Sequence, residues 1–254
     1  MARLSVEAEE LWRRAEALAA RNPGSPAARA LLHRLLRAVE GGGEDGRAAG
    51  EAYVFVHRKL GEALARDDPW AASLHLKRVL AHRPDDDGAW GHLGLCQSLL
   101  GHHRFAVRSY ERARALAPQN PWYAHNLGHL YDVVFDDGAR ALPLLRAALA
   151  ALPVTVVSSR ATPACNEATA HRLRAMIASY AHALMRHGSI IEARAQMLEV
   201  VQSGQATPAQ HELYDHIVAA YDRAIAPFLP PRGRVGDGRR AVRERRRTGT
   251  RGTP

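Results

Sequence analysis

The chain has 254 residues, 46% of them hydrophobic and 24% charged, a composition typical of a soluble globular protein of one or two domains. No uncharged apolar run reaches the ~18 residues that a membrane span requires, and two cysteines are too few for a disulfide-rich scaffold. The formal net charge is +9, but residues 231–254 hold nine arginines and two acidic residues, so the rest of the chain is almost neutral.

Two helices are predicted within residues 1–40. Ser5 is a candidate N-cap, and Glu7 lies with two further glutamates where a secretory signal would be apolar. Residues 22–26 form a turn rich in proline, and leucines then recur at helical spacing. We expect a degenerate helical hairpin or a cap in a cytoplasmic protein, followed by a flexible glycine-rich linker over residues 41–50.

A spaced motif of small and aromatic residues occupies the middle of the chain. It follows the pattern W-x2-L-G-x11-A-x3-Y-x2-A-x4-P, and its members are Trp90, Leu93, Gly94, Ala106, Tyr110, Ala113 and Pro118. Similar patterns stand on both sides, since Ala72 precedes Ala106 by 34 residues and Ala141 follows it by 35. Three tandem copies with this period predict three structural repeats.

The motif resembles the tetratricopeptide repeat (TPR), a 34-residue helix–turn–helix unit. The resemblance covers residues 53–153 and implies an all-α fold of helical hairpins stacked into a solenoid with a concave groove. Gly94 and Ala106 are expected where the two helices of a unit cross, because small residues let the backbones approach closely. The resemblance places three units at about residues 53–86, 87–120 and 121–155.

A fourth unit over about residues 163–207 departs from the pattern. Ala181 stands where glycine is expected, and about 18 extra residues precede Ala193 relative to the family period. We expect a long first helix from about Pro163 to His187. A capping helix is then expected over residues 208–228, since the last apolar face of a solenoid must be covered, and the whole array ends near residue 229.

No catalytic or nucleotide-binding motif stands in a suitable context. The chain lacks a phosphate loop and a nucleophile elbow, and its G-x-G-x-x-G match follows a helical pattern instead of a strand. A metal site is conceivable at His125, His129 and Asp132, whose offsets of four and three place them on one helix face. Because such histidine spacing is common by chance, we expect no bound metal. Because no active-site motif is found, we expect no enzyme activity and no cofactor.

The resemblance assigns the groove to fixed positions on the first helix of each unit. The second unit offers small or apolar residues there: Gly91, Leu95 and Ser98. The third unit is the expected centre, because an aromatic residue and two histidines lie on successive turns of one helix. Structural packing is the alternative for all three side chains. The candidate peptide-binding residues are Arg58, Glu62, Trp122, His125, His129 and His182.

One branch of the family clamps the C-terminal carboxylate of chaperones with basic and asparagine side chains. Arg58 is suggestive of that branch, but Glu62 and His92 replace its asparagines, and Trp122 and Asn126 replace its second basic pair. The sequence therefore favours a protein-interaction scaffold or adaptor that binds a peptide or helix in the groove. A surface that binds a second copy of the chain is the alternative, and the partner and the oligomeric state stay open.

The arginine-rich residues 230–254 carry few aliphatic side chains and are expected to be disordered. A second hypothesis is that they bind nucleic acid or another acidic surface, since clustered arginines neutralise phosphates. A solubilising terminus is the alternative. The strong bias toward arginine over lysine suggests a GC-rich bacterial genome. The arginines assigned to this second hypothesis are Arg239, Arg240, Arg243, Arg245, Arg246 and Arg247.

Overall fold

A computed structural model describes residues 5–22, 24–41, 47–151 and 167–226. Within those ranges the chain forms eleven helices and no strand, which confirms the all-α class. No helix among them is both long and apolar enough to cross a membrane. The helices are α1 (Val6–Arg21), α2 (Pro26–Gly41), α3 (Arg47–Leu64), α4 (Pro69–His82), α5 (Asp87–Leu99), α6 (His103–Leu116), α7 (Pro121–Val133), α8 (Gly138–Ala150), α9 (Glu167–Arg186), α10 (Ile190–Gln202) and α11 (Pro208–Ile225).

The helices pack as a row of hairpins, each helix against the next one along the chain. The pairs α3/α4, α5/α6, α7/α8 and α9/α10 are called units 1 to 4 below. Short turns join the two helices of a unit, so these run antiparallel. First helices also meet across unit boundaries, since α3 packs on α5 and α7 packs on α9. Contacts between neighbours along a row are the defining feature of a solenoid.

The two helices of each of the first three units cross at a glycine. A Cβ atom placed on Gly94 would lie 2.9 Å from the ring of Tyr110, which is closer than real Cβ atoms approach. The same construction brings Gly61 to within 2.8 Å of Leu76 and Gly128 to within 2.9 Å of Leu145. The predicted close crossing is therefore present in units 1, 2 and 3.

Side-chain caps fix where the second helix of a unit begins and where the next unit starts. The carboxylate of Asp68 accepts a hydrogen bond from the Ala71 amide at the start of α4, and Asn120 does the same for Trp122 at the start of α7. Prolines occupy the first turns of α4, α7 and α11, where a missing N–H costs nothing. These helix starts are therefore encoded locally.

The array is closed at both ends by further helices. At the C-terminal end, α11 begins with a capping box at Thr207 and Gln210, and Ile217 inserts fully buried into the core of unit 4. At the N-terminal end, α1 and α2 bury Leu32 and Leu35 against α3, and Ser5 caps α1 as expected. Linker residues 42–46, the insertion residues 152–166 and the expected tail 230–254 lie outside the described residues.

Replacing Gly94 with leucine should destabilise the fold strongly, because the new side chain would occupy the space of the Tyr110 ring. Overpacking of this kind costs about 1–3 kcal/mol or more in the free energy of unfolding. Thermal and urea denaturation followed by circular dichroism would measure it. Gly50→Leu is the matched control, since a Cβ at this exposed helical glycine meets nothing within 4 Å. Equal melting of the two variants would show that the crossing is placed wrongly.

A buried pair of histidines lies inside unit 1. The Nδ1 atoms of His57 and His75 are 2.6 Å apart, so one neutral ring donates a hydrogen bond to the other. His57 is fully buried, with the ring of Tyr53 edge-on at 4.2 Å. Burial lowers the pKa of His57 from 6.5 to about 3, and the charge of Arg78 adds to this effect. Burial also lowers the pKa of His75.

Acid should weaken this packing. Because the pKa of His57 is lowered on folding, the unfolded chain binds more protons between about pH 3 and 6.5, so stability falls as the pH drops through that window. His57 alone should remove up to about 2 kcal/mol between pH 7.5 and pH 5. Urea denaturation across this range should give a flatter profile for His57→Leu than for the parent or for the exposed-site control His211→Leu. Parallel profiles for all three chains would contradict the assignment.

Candidate peptide-binding groove

The first helices of the units carry every groove residue expected from the sequence. Arg58 and Glu62 lie on α3, the aromatic and histidine group lies on α7, and His182 lies on α9. The resemblance to the TPR family assigns the first helices to the concave side of the solenoid. The groove can therefore be followed unit by unit.

The unit 1 end of the groove is a closed network of ion pairs. The Nε atom of Arg58 donates to a Glu62 oxygen at 3.1 Å, and its Nη1 atom lies 3.2 Å from Asp86. Lys59 binds the other oxygen of Glu62 at 2.8 Å. The guanidinium also fills the space beside Gly88, where an added Cβ would lie 2.7 Å from Arg58 Nη2. Arg58 is thus already neutralised, which disfavours the carboxylate-clamp reading.

Unit 2 contributes less open surface than its small residues suggested. Gly91 is buried, and the space above it is filled by the ring of Tyr123 from unit 3, whose atoms would lie 2.5 Å from an added Cβ. The Tyr123 hydroxyl donates to Asp87 at 2.7 Å. Burial, together with this hydrogen bond to a carboxylate, raises the pKa of Tyr123 well above its ordinary value. Gly91 therefore leaves room for the Tyr123 ring in the contact between units 2 and 3.

Trp122, His125 and His129 form an aromatic ladder on α7. The rings of Trp122 and His125 meet edge-on at 6.2 Å, and those of His125 and His129 lie parallel at 6.2 Å. Trp122 is half-buried and packs on the apolar cluster of Ala124, Ala148 and Met176, so it also joins units 3 and 4. His129 is exposed, and His182 of α9 is exposed beside the ladder.

The surroundings of the ladder favour the neutral form of both imidazoles, because the pKa of each is lowered. Loss of hydration lowers the pKa of His125, and a hydrogen bond with Asn126 only partly opposes this. Partial loss of hydration lowers the pKa of His129 as well; Asp132 opposes the effect and His182 reinforces it. The Nε2 atom of His125 is buried and has no hydrogen-bond partner among the described residues. A neutral imidazole carries one donor and one acceptor, so the exposed ring of His129 is able to hydrogen-bond a ligand.

Asp132 does not join the two histidines in a metal site. Its side chain is 1% exposed, and its Oδ1 atom lies 3.1 Å from His187 Nε2 and 3.3 Å from Arg186 Nη1. These contacts tie α7 to the C-terminal end of α9. Throughout the described ranges there is no cluster of three metal-ligating side chains. The conceivable site at His125, His129 and Asp132 therefore lacks its carboxylate.

The side chains that connect neighbouring units were not predicted from the sequence. Tyr123 fills groove space and Asp86 contacts a groove residue, although neither stands at an expected groove position. Asp86 carried a signal, since an acidic run before a helix is typical of an N-cap. The six tail arginines assigned to acidic partners, Arg239 to Arg247, lie outside the described residues.

Comparison with known proteins supports the fold and gives no sequence relative. No protein-family model matches the chain, and no curated protein matches it. A structure of PilF from Pseudomonas aeruginosa superposes with a TM-score of 0.59 at 13% identity, over 88% of this chain and 92% of PilF. TTC0263, a TPR protein of Thermus thermophilus, superposes with a TM-score of 0.52 at 18% identity, over 84% of this chain and 99% of TTC0263. YrrB, described as a TPR protein with an unusual peptide-binding site, superposes with a TM-score of 0.52 at 15% identity, over 83% of this chain and 96% of YrrB.

These likenesses, with the glycine crossings and the 34-residue period, confirm the TPR resemblance of the sequence. The chain therefore has the fold of a TPR-like solenoid.

Asp132→Asn should destabilise the contact between units 3 and 4. The substitution leaves Arg186 and His187 without their shared carboxylate, and because both are partly exposed we expect a loss of about 1–3 kcal/mol. Asp136→Asn is the matched control, since Asp136 binds the same arginine from a largely exposed position. Chemical denaturation would compare the two, and equal stability of Asp132→Asn and the parent would refute the structural role.

Proposed function

We propose that this chain is a non-enzymatic protein-interaction scaffold that binds an extended peptide or a helix along the first helices of its units. The main support for this proposal is the ladder of Trp122, His125 and His129, which His182 extends toward α9. A wide aromatic surface with neutral polar edges suits peptide recognition, in which aromatic anchors supply most of the energy. Solved TPR structures with the same fold include one described as having a peptide-binding site, which supports this reading.

The proposal locates the energetic centre between units 3 and 4. The unit 1 end is saturated, because Arg58 already bridges Glu62 and Asp86. In unit 2 the floor at Gly91 is occupied by Tyr123. His129 and His182 are the exposed histidines of the group, so a ligand can reach them without unpacking the solenoid.

A selection of displayed random peptides on the full-length chain tests this proposal. Peptides that bind the parent should bind the double variant His129→Ala, His182→Ala at least tenfold more weakly, a loss of about 1.4 kcal/mol. The variant should keep the parent's melting temperature, because both residues are exposed. His211→Ala, His216→Ala is the matched control, since these exposed histidines lie on α11. Equal binding to parent and groove variant would move the site away from the ladder.

The same peptides should bind less tightly in acid. Burial under a ligand further disfavours the charged imidazole, so a ligand that covers the ladder competes with protonation of its rings. Affinity should stay constant from pH 8 to pH 7 and fall toward pH 5, because the pKa of His125 and of His129 is already lowered in the free chain. Fluorescence anisotropy would measure it. A pH-independent affinity would leave Trp122 and shape as the basis of binding.

A second candidate function is electrostatic binding of nucleic acid by residues 231–254. The supporting observation is the charge distribution, since nine arginines stand there against two acidic residues. Binding of a 20-base-pair DNA should weaken steeply between 50 and 200 mM salt. Deleting residues 231–254 should remove that salt-sensitive binding. DNA affinity that survives the deletion would exclude this candidate.

A further inference from the structure

Exposed apolar side chains collect along one edge of the solenoid. Of the nine large hydrophobic residues that are exposed in the described part of the chain, eight lie where a first helix turns into the second helix of its unit or in the first two turns of that second helix. Val6 on α1 is the exception. We call this surface the turn edge, and its residues are Trp70, Leu74, Leu99, Phe105, Val133, Val134, Phe135 and Ile191.

The turn edge follows the repeat. Leu99 and Val133 end the first helices of units 2 and 3 and are 34 residues apart, while Trp70 and Phe105 begin the second helices of units 1 and 2 and are 35 apart. Side chains spaced by one unit recur along the same edge of a solenoid. On the opposite edge, where one unit leads to the next, the described turns of units 1 to 4 hold none of these exposed hydrophobic residues and include polar turns such as Pro118–Asn120.

Exposing large apolar side chains to water is unfavourable in free energy unless a partner covers them. Trp70 is 60% exposed and Phe105 is 58% exposed, and each such ring buries about 150–250 Å² when it is covered. Apolar patches that continue over several elements mark interaction sites. The turn edge is separate from the ladder, since the ladder begins at Trp122 near the N-terminal end of α7, whereas the turn edge lies at the C-terminal end of that helix.

The charges of the turn edge define the chemistry of the partner. In unit 2, residues 99–108 contain no acidic side chain, and Arg104 and Arg108 are exposed with no carboxylate partner among the described residues. Arg66, at the turn of unit 1, is also exposed and pairs with no carboxylate in the described ranges. Three carboxylates of this edge are paired with arginines, since Asp67 pairs with Arg29, Asp136 with Arg186, and Asp137 with Arg140. A fourth, Asp68, caps α4 by accepting a hydrogen bond from the Ala71 amide.

We infer that the turn edge is a second docking surface, which binds an acidic amphipathic segment of a protein partner. The segment places its apolar side chains on Trp70, Leu99 and Phe105, and its carboxylates on Arg66, Arg104 and Arg108. This inference goes beyond the groove proposal and is independent of it. A second copy of the chain is the competing occupant.

Two labelled synthetic peptides test the inference by fluorescence anisotropy with the full-length chain. Both are 18-residue helix formers with identical leucine and phenylalanine positions, one with glutamates and the other with lysines at the flanking positions. The acidic peptide should bind at least tenfold more tightly than the basic one, and rising salt should reduce the difference. Equal affinities, tighter binding of the basic peptide, or no binding of the acidic peptide would overturn the inference.

Substitutions locate the binding. Trp70→Ser, Phe105→Ser should weaken the acidic peptide at least tenfold while keeping the parent's melt, and Arg104→Glu, Arg108→Glu should reverse the charge preference. Val6→Ser is the matched control for loss of an exposed apolar side chain. The groove variant His129→Ala, His182→Ala should bind the acidic peptide within twofold of the parent, which separates failure here from failure of the groove proposal.

Sedimentation velocity at rising chain concentration decides between the two occupants. The parent should stay at a single sedimentation coefficient, the same as that of Trp70→Ser, Phe105→Ser. Self-association of the parent that those two substitutions remove would overturn the inference in favour of a second copy of the chain.

Discussion

The close approach of two helices at a glycine is the constraint on which this structure depends. At Gly94 the ring of Tyr110 lies where a side chain would begin, and units 1 and 3 repeat the arrangement with a leucine in place of the tyrosine. A hairpin closed in this way presents one apolar face to each neighbour, and neither face can be buried within the unit itself. Stacking follows from that geometry, and the order of the first helices along the groove follows from the stacking.

The local features of the fold were predictable because they are encoded by nearby residues. The 34-residue period, the small residues at the crossings and the caps at Ser5 and before α11 involve side chains and amides within one hairpin or one turn. Spacing along the chain is enough to reveal such features. Unit 4 was predicted from a weaker pattern. Ala181, Ala193 and Met197 are all buried in its core, although it lacks the crossing glycine of units 1 to 3.

The candidate site was only partly predictable, because its chemistry depends on contacts between units. Arg58 was expected to contact a peptide, and it is bridged by an acidic residue from the start of the next unit. Asp132 was expected near two histidines on its own helix and is bound by residues at the end of α9. Such partners are far apart in sequence and are brought together by stacking. The turn edge could not be predicted for the same reason, since exposed hydrophobic residues become a surface only when the units are aligned.

The central functional claim is that the exposed histidines beside the α7 ladder contact the ligand. NMR of the imidazole nitrogens, on the full-length chain with and without a peptide selected on it, tests that contact most directly. The resonances of His129 and His182 should shift on binding, whereas those of the buried His57 and of His211 on α11 should not. Unchanged His129 and His182 resonances at saturating peptide would contradict the account and place the ligand elsewhere on the solenoid.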